Sequence, residues 1–169
     1  NYSNLDTNIV ASYVLYKMGN KEFKKLLNEI LVDKVGIEHK VKAFRKNGNS
    51  ITYSYYASRY DYLRINIAML EDWNNNTCEG QYLKSLYENR IDKWSEEPGK
   101  ERNIMETTNS YNGQFYSDIN GIDRPIFVMD GFGGQSHVID FEKNRVISLL
   151  AIHRNYDVKL THLKKLKQQ

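Results

Sequence analysis

The chain is short of several things, and each shortage excludes something. It has one cysteine, Cys78, among 169 residues. No internal disulfide can form, and no cysteine-rich metal site can be built. It has only two prolines, with 40% apolar and 27% charged residues, which is a globular composition rather than a disordered one. No apolar run approaches the ~20 residues that a membrane-spanning helix needs. The histidines at 39, 137, 153 and 162 show no metal-ligand spacing. Neither Ser-x-x-Lys nor Gly-x-Ser-x-Gly occurs, so neither of these nucleophile motifs lies within these residues. Cys78 is read as a small buried residue at a loop–helix junction.

Other features are plentiful. Thirteen tyrosines suit half-buried positions, with a ring to pack and a hydroxyl to bond. The net charge of +3 is concentrated at the end, where Lys159, Lys164, Lys165 and Lys167 cluster. A basic terminal helix of this kind is read as a solvated face, and nucleic acid is not expected as a partner. The first residue is Asn1, so a leader segment would lie upstream of these residues.

Apolar spacing predicts helices first. Leu5 to Met18 carries Leu5, Ile9, Tyr13 and Tyr16 at helical intervals, with Ser3 or Asn4 as cap and Gly19-Asn20 as stop. Lys21 to Val32 repeats the pattern with Phe23, Leu26, Leu27 and Ile30, and Gly36 interrupts the chain beyond it. Residues 40–57 are polar and irregular, with β-prone Ile51 to Tyr56. A third helix is expected near Arg59 to Trp73, with Leu63, Asn66 and Leu70 on one row, and a fourth near Glu79 to Lys93. Residues 95–110 read as loop.

The last third changes period. Gly113 to Tyr116, Arg124 to Met129, Gln135 to Phe141 and Val146 to His153 are β-prone, and Glu142 to Arg145 is a tight connection between the last two. Tyr156 to Lys167 reads as a final helix. The expected class is α+β, with a helical region over 1–110 and antiparallel strands plus a covering helix over 111–169, as one structural unit.

Two motifs stand out. Tyr2-Ser3-Asn4 immediately precedes a helix. Asp130-Gly131-Phe132-Gly133-Gly134-Gln135 sits between two strand-like runs, where three glycines are costly unless another backbone or a ligand comes close. By themselves, the first is a helix cap and the second a bulge or turn.

In order, however, they resemble the serine β-lactamase and penicillin-binding-protein-like hydrolases, meaning class C β-lactamases and their DD-peptidase and esterase relatives. Tyr2-Ser3-Asn4-Leu5 with Phe23-Lys24-Lys25-Leu26-Leu27 and Val35-Gly36-Ile37 is similar to that family's Tyr-x-Asn region. Ala57-Ser58-Arg59-Tyr60-Asp61-Tyr62-Leu63-Arg64 resembles its Ser-Ala-x-Asp-Leu-x-Arg helix start. Phe132-Gly133-Gly134-Gln135 followed by His137-Val138-Ile139-Asp140-Phe141 resembles its third motif, which is Lys-Thr-Gly, His-x-Gly or Gly-Gly-Gln.

The resemblance implies a β-lactamase/transpeptidase-like fold seen as its C-terminal portion, with the Ser-x-x-Lys nucleophile and the first strands upstream. It implies that Tyr2 is a general acid/base, that Asn4 bonds the substrate amide, and that Gln135 supplies an oxyanion-hole N–H. Phe132, Gly133 and Gly134 would lie against the substrate, a small-molecule amide or ester. Other expected consequences are the missing N-terminal segment as partner, no cofactor, a periplasmic or cell-envelope location, and an unpaired sheet edge in these residues alone. Phe132 stands where many members carry Lys or His, which favours a less charged acyl group. Two further readings compete: a catalytically inactive binding module on the same fold, and an unrelated Tyr-rich nucleic-acid binder, which would require steep salt dependence.

Overall fold

The computed structural model describes residues 4–39, 42–45, 53–92, 108–131 and 135–150, with only the backbone at 4, 5, 20, 42–45 and 53–56. Two compact units emerge, one of residues 2–65 and one of residues 66–169 together with Asn1.

In the N-terminal unit, α1 runs Asn4–Asn28 and is broken at Gly19, which takes φ 77° and ψ 160°. This is the stop expected from Gly19-Asn20: glycine enters the left-handed region at no steric cost, and the helix restarts beyond it. A π-helical turn, Glu29–Lys34, comes next. It ends at Gly36, whose φ is +72°. The backbone N–H groups of Val35, Gly36 and Ile37 close it onto the carbonyls of Ile30, Val32 and Leu31. Strands β1 (Lys42–Arg45) and β2 (Tyr53–Tyr56) pair antiparallel, Lys42 opposite Tyr56 and Arg45 opposite Tyr53. β2 lies in the β-prone Ile51 to Tyr56 run; β1 lies in a polar stretch that carries no strand signal.

Helix α2 spans Arg59–Asn75 and α3 spans Cys78–Glu88. The turn between them is fixed by Thr77. Its hydroxyl accepts from the Gly80 N–H at 3.1 Å and donates to Asp72 Oδ1 at 2.8 Å. A Cβ on Gly80 would stand 1.8 Å from the Asp72 carbonyl oxygen, so only glycine allows the two backbones to come this close. Cys78, expected to be buried, is exposed at the first position of α3. α3 is also shorter than its periodicity suggests. Asn89 folds its amide back onto the Ser85 carbonyl, and Asn112 Nδ2 bonds the carbonyls of Leu86 and Asn89. These bonds satisfy the end of the helix, and Ile91–Asp92 leaves it as β3.

The C-terminal unit is built on one six-stranded antiparallel sheet in the order β3-β4-β5-β6-β7-β8. β4 is Thr108–Asn112, β5 Phe115–Ile119, β6 Ile126–Gly131, β7 Gln135–Asp140 and β8 Arg145–Leu149. The α+β class is as expected. The run Gly113 to Tyr116 is not one strand, because Gly113 and Gln114 take φ of +54° and +73° and turn β4 into β5. Positive φ at both central residues is the geometry that matches strand twist in a tight hairpin. β7 and β8 form the expected hairpin, with Asp140 opposite Arg145. The expected final helix, Tyr156 to Lys167, and the end of the Val146 to His153 run lie outside the described residues.

Period-two alternation gives the sheet two apolar faces. Ile126, Val128 and Val138 join Tyr111, Tyr116, Ile119 and Ile122 on one face. On the other, Phe115, Phe127, Ile139 and Phe141 pack with Leu70 of α2 and Leu83 of α3. Phe127 lies at the centre of this second cluster. It stacks on Phe115 at 4.4 Å between ring centroids and meets Trp73 and Phe141 edge-on.

Candidate active site

The residues singled out in sequence fall in both units. Asn4 opens α1 in the N-terminal unit. Gln135 is the first residue of β7 in the C-terminal unit, opposite Gly131 across the β6–β7 turn. Its side chain folds over Gly131, where a Cβ would stand 2.9 Å from Gln135 Oε1. Tyr2, Phe132, Gly133 and Gly134 lie outside the described residues.

The structure also assembles polar clusters of its own. The first is the start of α2. Ser58 caps the helix by accepting from the Asp61 N–H at 3.1 Å, and its hydroxyl donates to Asp61 Oδ2 at 2.8 Å. Asp61 is fully buried. Its Oδ1 accepts from the Glu38 backbone N–H at 3.0 Å and from Arg64 at 3.1 Å, while His39 Nδ1 stands 3.0 Å from Oδ2. Arg64 also reaches Glu38 at 2.5 Å. Burial by itself would raise the Asp61 pKa. The hydrogen bonds from Ser58, the Glu38 backbone and His39, with the charge of His39, outweigh it and hold the carboxyl below its usual range.

Serine, histidine and aspartate therefore meet here, but not as a nucleophile–base–orienter relay. Ser58 gives its proton to the carboxylate, and both groups face the same imidazole nitrogen, with Ser58 Oγ 3.5 Å from Nδ1. The cluster is a helix cap that ties the Glu38-His39 segment to α2.

The second cluster lies on the sheet face covered by α2. Met129, His137 and Ser148 sit side by side on β6, β7 and β8. Asn66 of α2 donates from Nδ2 to Ser148 Oγ at 2.8 Å and stands 3.3 Å from His137 Nδ1, and Ser148 Oγ is 3.2 Å from that nitrogen. Asn66 and His137 are buried, and burial lowers the His137 pKa, which keeps the ring neutral. A neutral imidazole accepting at Nδ1 fits both donors. Helical spacing puts Asn66 on an apolar row of α2. A lone amide on such a row is the one sequence signal that a polar partner waits in the core.

Two partly buried arginine–aspartate pairs are found among the described residues of the C-terminal unit. Arg124 grips Asp140 with Nε and a terminal nitrogen, the latter at 2.8 Å, and its pKa is raised by that carboxylate. Arg90 Nε reaches Asp118 at 2.6 Å, and Ser110 donates to the same carboxylate. For Asp118, burial would raise the pKa, but Arg90 and Ser110 hold it below its usual range. Both pairs anchor loops to strands: Asp140 also accepts from the Lys143 N–H in the β7–β8 turn.

Among the described residues no group of three or more His, Cys, Asp or Glu side chains can hold a metal ion. No helix among them is long and apolar enough to cross a membrane. No family model, no curated protein and no solved structure matches the chain.

Proposed function

We propose that this chain is part of a serine hydrolase of the β-lactamase-related kind, acting on an amide or ester through an acyl-enzyme. The observation that carries this reading is positional. Asn4 lies in the described N-terminal turn of α1, Ser58 caps α2, and Gln135 lies in β7 of an antiparallel sheet. A helix for the first two motifs and a strand for the third are the element types that the resemblance expects of them.

In this reading a Ser-x-x-Lys segment outside these 169 residues supplies the nucleophile. Tyr2 carries the proton to and from it, and Asn4 bonds the substrate amide. By the resemblance, the Gln135 backbone N–H would be the oxyanion donor, a role worth about 2.7–4 kcal/mol in the transition state. Phe132, Gly133 and Gly134 line the acyl side. With phenylalanine in place of a cation, this reading favours an ester or amide with a less charged acyl group.

The test uses the intact protein. An activated ester or a fluorophosphonate should leave a serine adduct visible by mass, and uncharged esters should turn over faster than carboxylate-bearing β-lactams. Gln135→Pro, which removes the N–H, should lower kcat by about 10²–10³, while Gln135→Ala, which keeps it, should retain most activity. Absence of both adduct and turnover in a folded protein would sink this reading in favour of an inactive binding module.

A further inference from the structure

Asn-Gly dipeptides occur at 47–48, 112–113 and 120–121, and the first lies outside the described residues. Glycine after asparagine leaves the main-chain nitrogen unshielded, because no Cβ stands beside it. Asn112 ends β4 and Asn120 follows the end of β5, and the two differ in exposure. Asn112 is half-buried, and its Nδ2 donates to two main-chain carbonyls, Leu86 at 3.0 Å and Asn89 at 3.1 Å. Gly113 behind it is crowded by Leu86, whose Cδ1 would lie 2.6 Å from an added Cβ. Asn120 and Gly121 are both exposed. The Asn120 side-chain oxygen accepts from the Asn109 amide at 2.8 Å. Its turn is closed by the Ile122 N–H on the Ile119 carbonyl at 2.9 Å, with Gly121 at φ +79°.

We infer that Asn120 is a site of spontaneous deamidation and isomerisation, and that Asn112 is protected. The Gly121 nitrogen attacks the Asn120 side-chain carbonyl carbon. The bond to the amide nitrogen breaks, and ammonia leaves with the glycine N–H proton. Water then opens the cyclic imide at either carbonyl, giving aspartate or isoaspartate. Aspartate is accommodated, since Asn109 then donates to a carboxylate. Isoaspartate inserts a methylene into the main chain between Ile119 and Ile122, two residues of one buried cluster. The modification thus couples a surface turn to the core.

The full chain is incubated at mildly alkaline pH and mapped with chymotrypsin, since Phe115 and Tyr116 separate the two sites. The expected result is amide-to-acid conversion at 120 several-fold faster than at 112, while the urea-unfolded chain converts at similar rates at both. The aged protein should melt below the Asn120→Asp variant, which adds the charge without the methylene. Conversion at 112 as fast as at 120 in the folded chain, or an intact amide at 120 while the unfolded chain converts, would overturn the assignment. Equal melting of aged and Asn120→Asp protein would overturn the coupling to the core.

Discussion

The two units solve the problem of burial in opposite ways. The C-terminal unit sinks large side chains on both faces of its sheet, with Phe127 at 1% exposure and Val128 and Ile139 at 0%. In the N-terminal unit, among the described residues, Ile37 is the buried apolar side chain, while Ile9, Val10, Tyr13 and Tyr16 of α1 lie on the surface. What is most deeply buried there is a carboxylate, Asp61. One unit is held by apolar area, whose contribution scales at about 25 cal/mol per Å². The other is organised around hydrogen bonds to a single ionised group. An amphipathic period therefore shows where a helix is, not how its stripe is covered.

Five variants probe this contrast. The largest effect should come from Phe127→Ala, which empties the centre of an aromatic cluster and should cost about 3–5 kcal/mol in denaturant unfolding. A loss below ~1 kcal/mol would mean that this sheet face is not the core.

Next comes Ser58→Ala, which removes the α2 cap and should cost about 1 kcal/mol. Asp61 adds a pH signature to the same unit. Its folded pKa is depressed, so its contribution is present above the ordinary aspartate range and is lost as pH falls through the folded value. Asp61→Asn should flatten that acid limb, and an unchanged limb would remove Asp61 from its cause.

The C-terminal unit carries its own, distinct pH dependence. His137 also has a depressed pKa, but it is a base that is neutral when folded. The unfolded chain binds its proton first, so stability should fall as pH drops through the ordinary histidine range and level off once the folded ring is protonated. His137→Gln should abolish that slope, whereas an identical slope in the variant would place the titration elsewhere.

The smallest effect should be Tyr16→Ser. Tyr16 is 84% exposed, and the expected change is within ~0.5 kcal/mol. A loss above ~1 kcal/mol would show that the α1 stripe is covered in solution.

Part of this architecture is legible in the sequence. Gly19 and Gly36 mark the breaks where φ is positive, the α2 bounds agree to within two residues, and the β7–β8 hairpin comes from alternation around a short polar turn. The β4–β5 hairpin is not legible, since Gly113-Gln114 reads as part of a strand until both φ angles turn positive. α3 is shorter than its period implies, because its end is set by Asn112, which arrives from a distant strand. Of the candidate site, Gln135 lies in a strand and Asn4 in a helix, which local patterning can give.

Local sequence determines what depends on neighbours within a turn or two: caps, breaks, period and class. Pairings such as Asn66 with His137 and Ser148, Asp61 with Glu38 and His39, or Arg124 with Asp140 were decided by the tertiary structure alone. A buried donor or acceptor chooses its partner from whatever the packed chain brings within reach, at sequence separations of 71 and 82 residues for Asn66, and no local period encodes that.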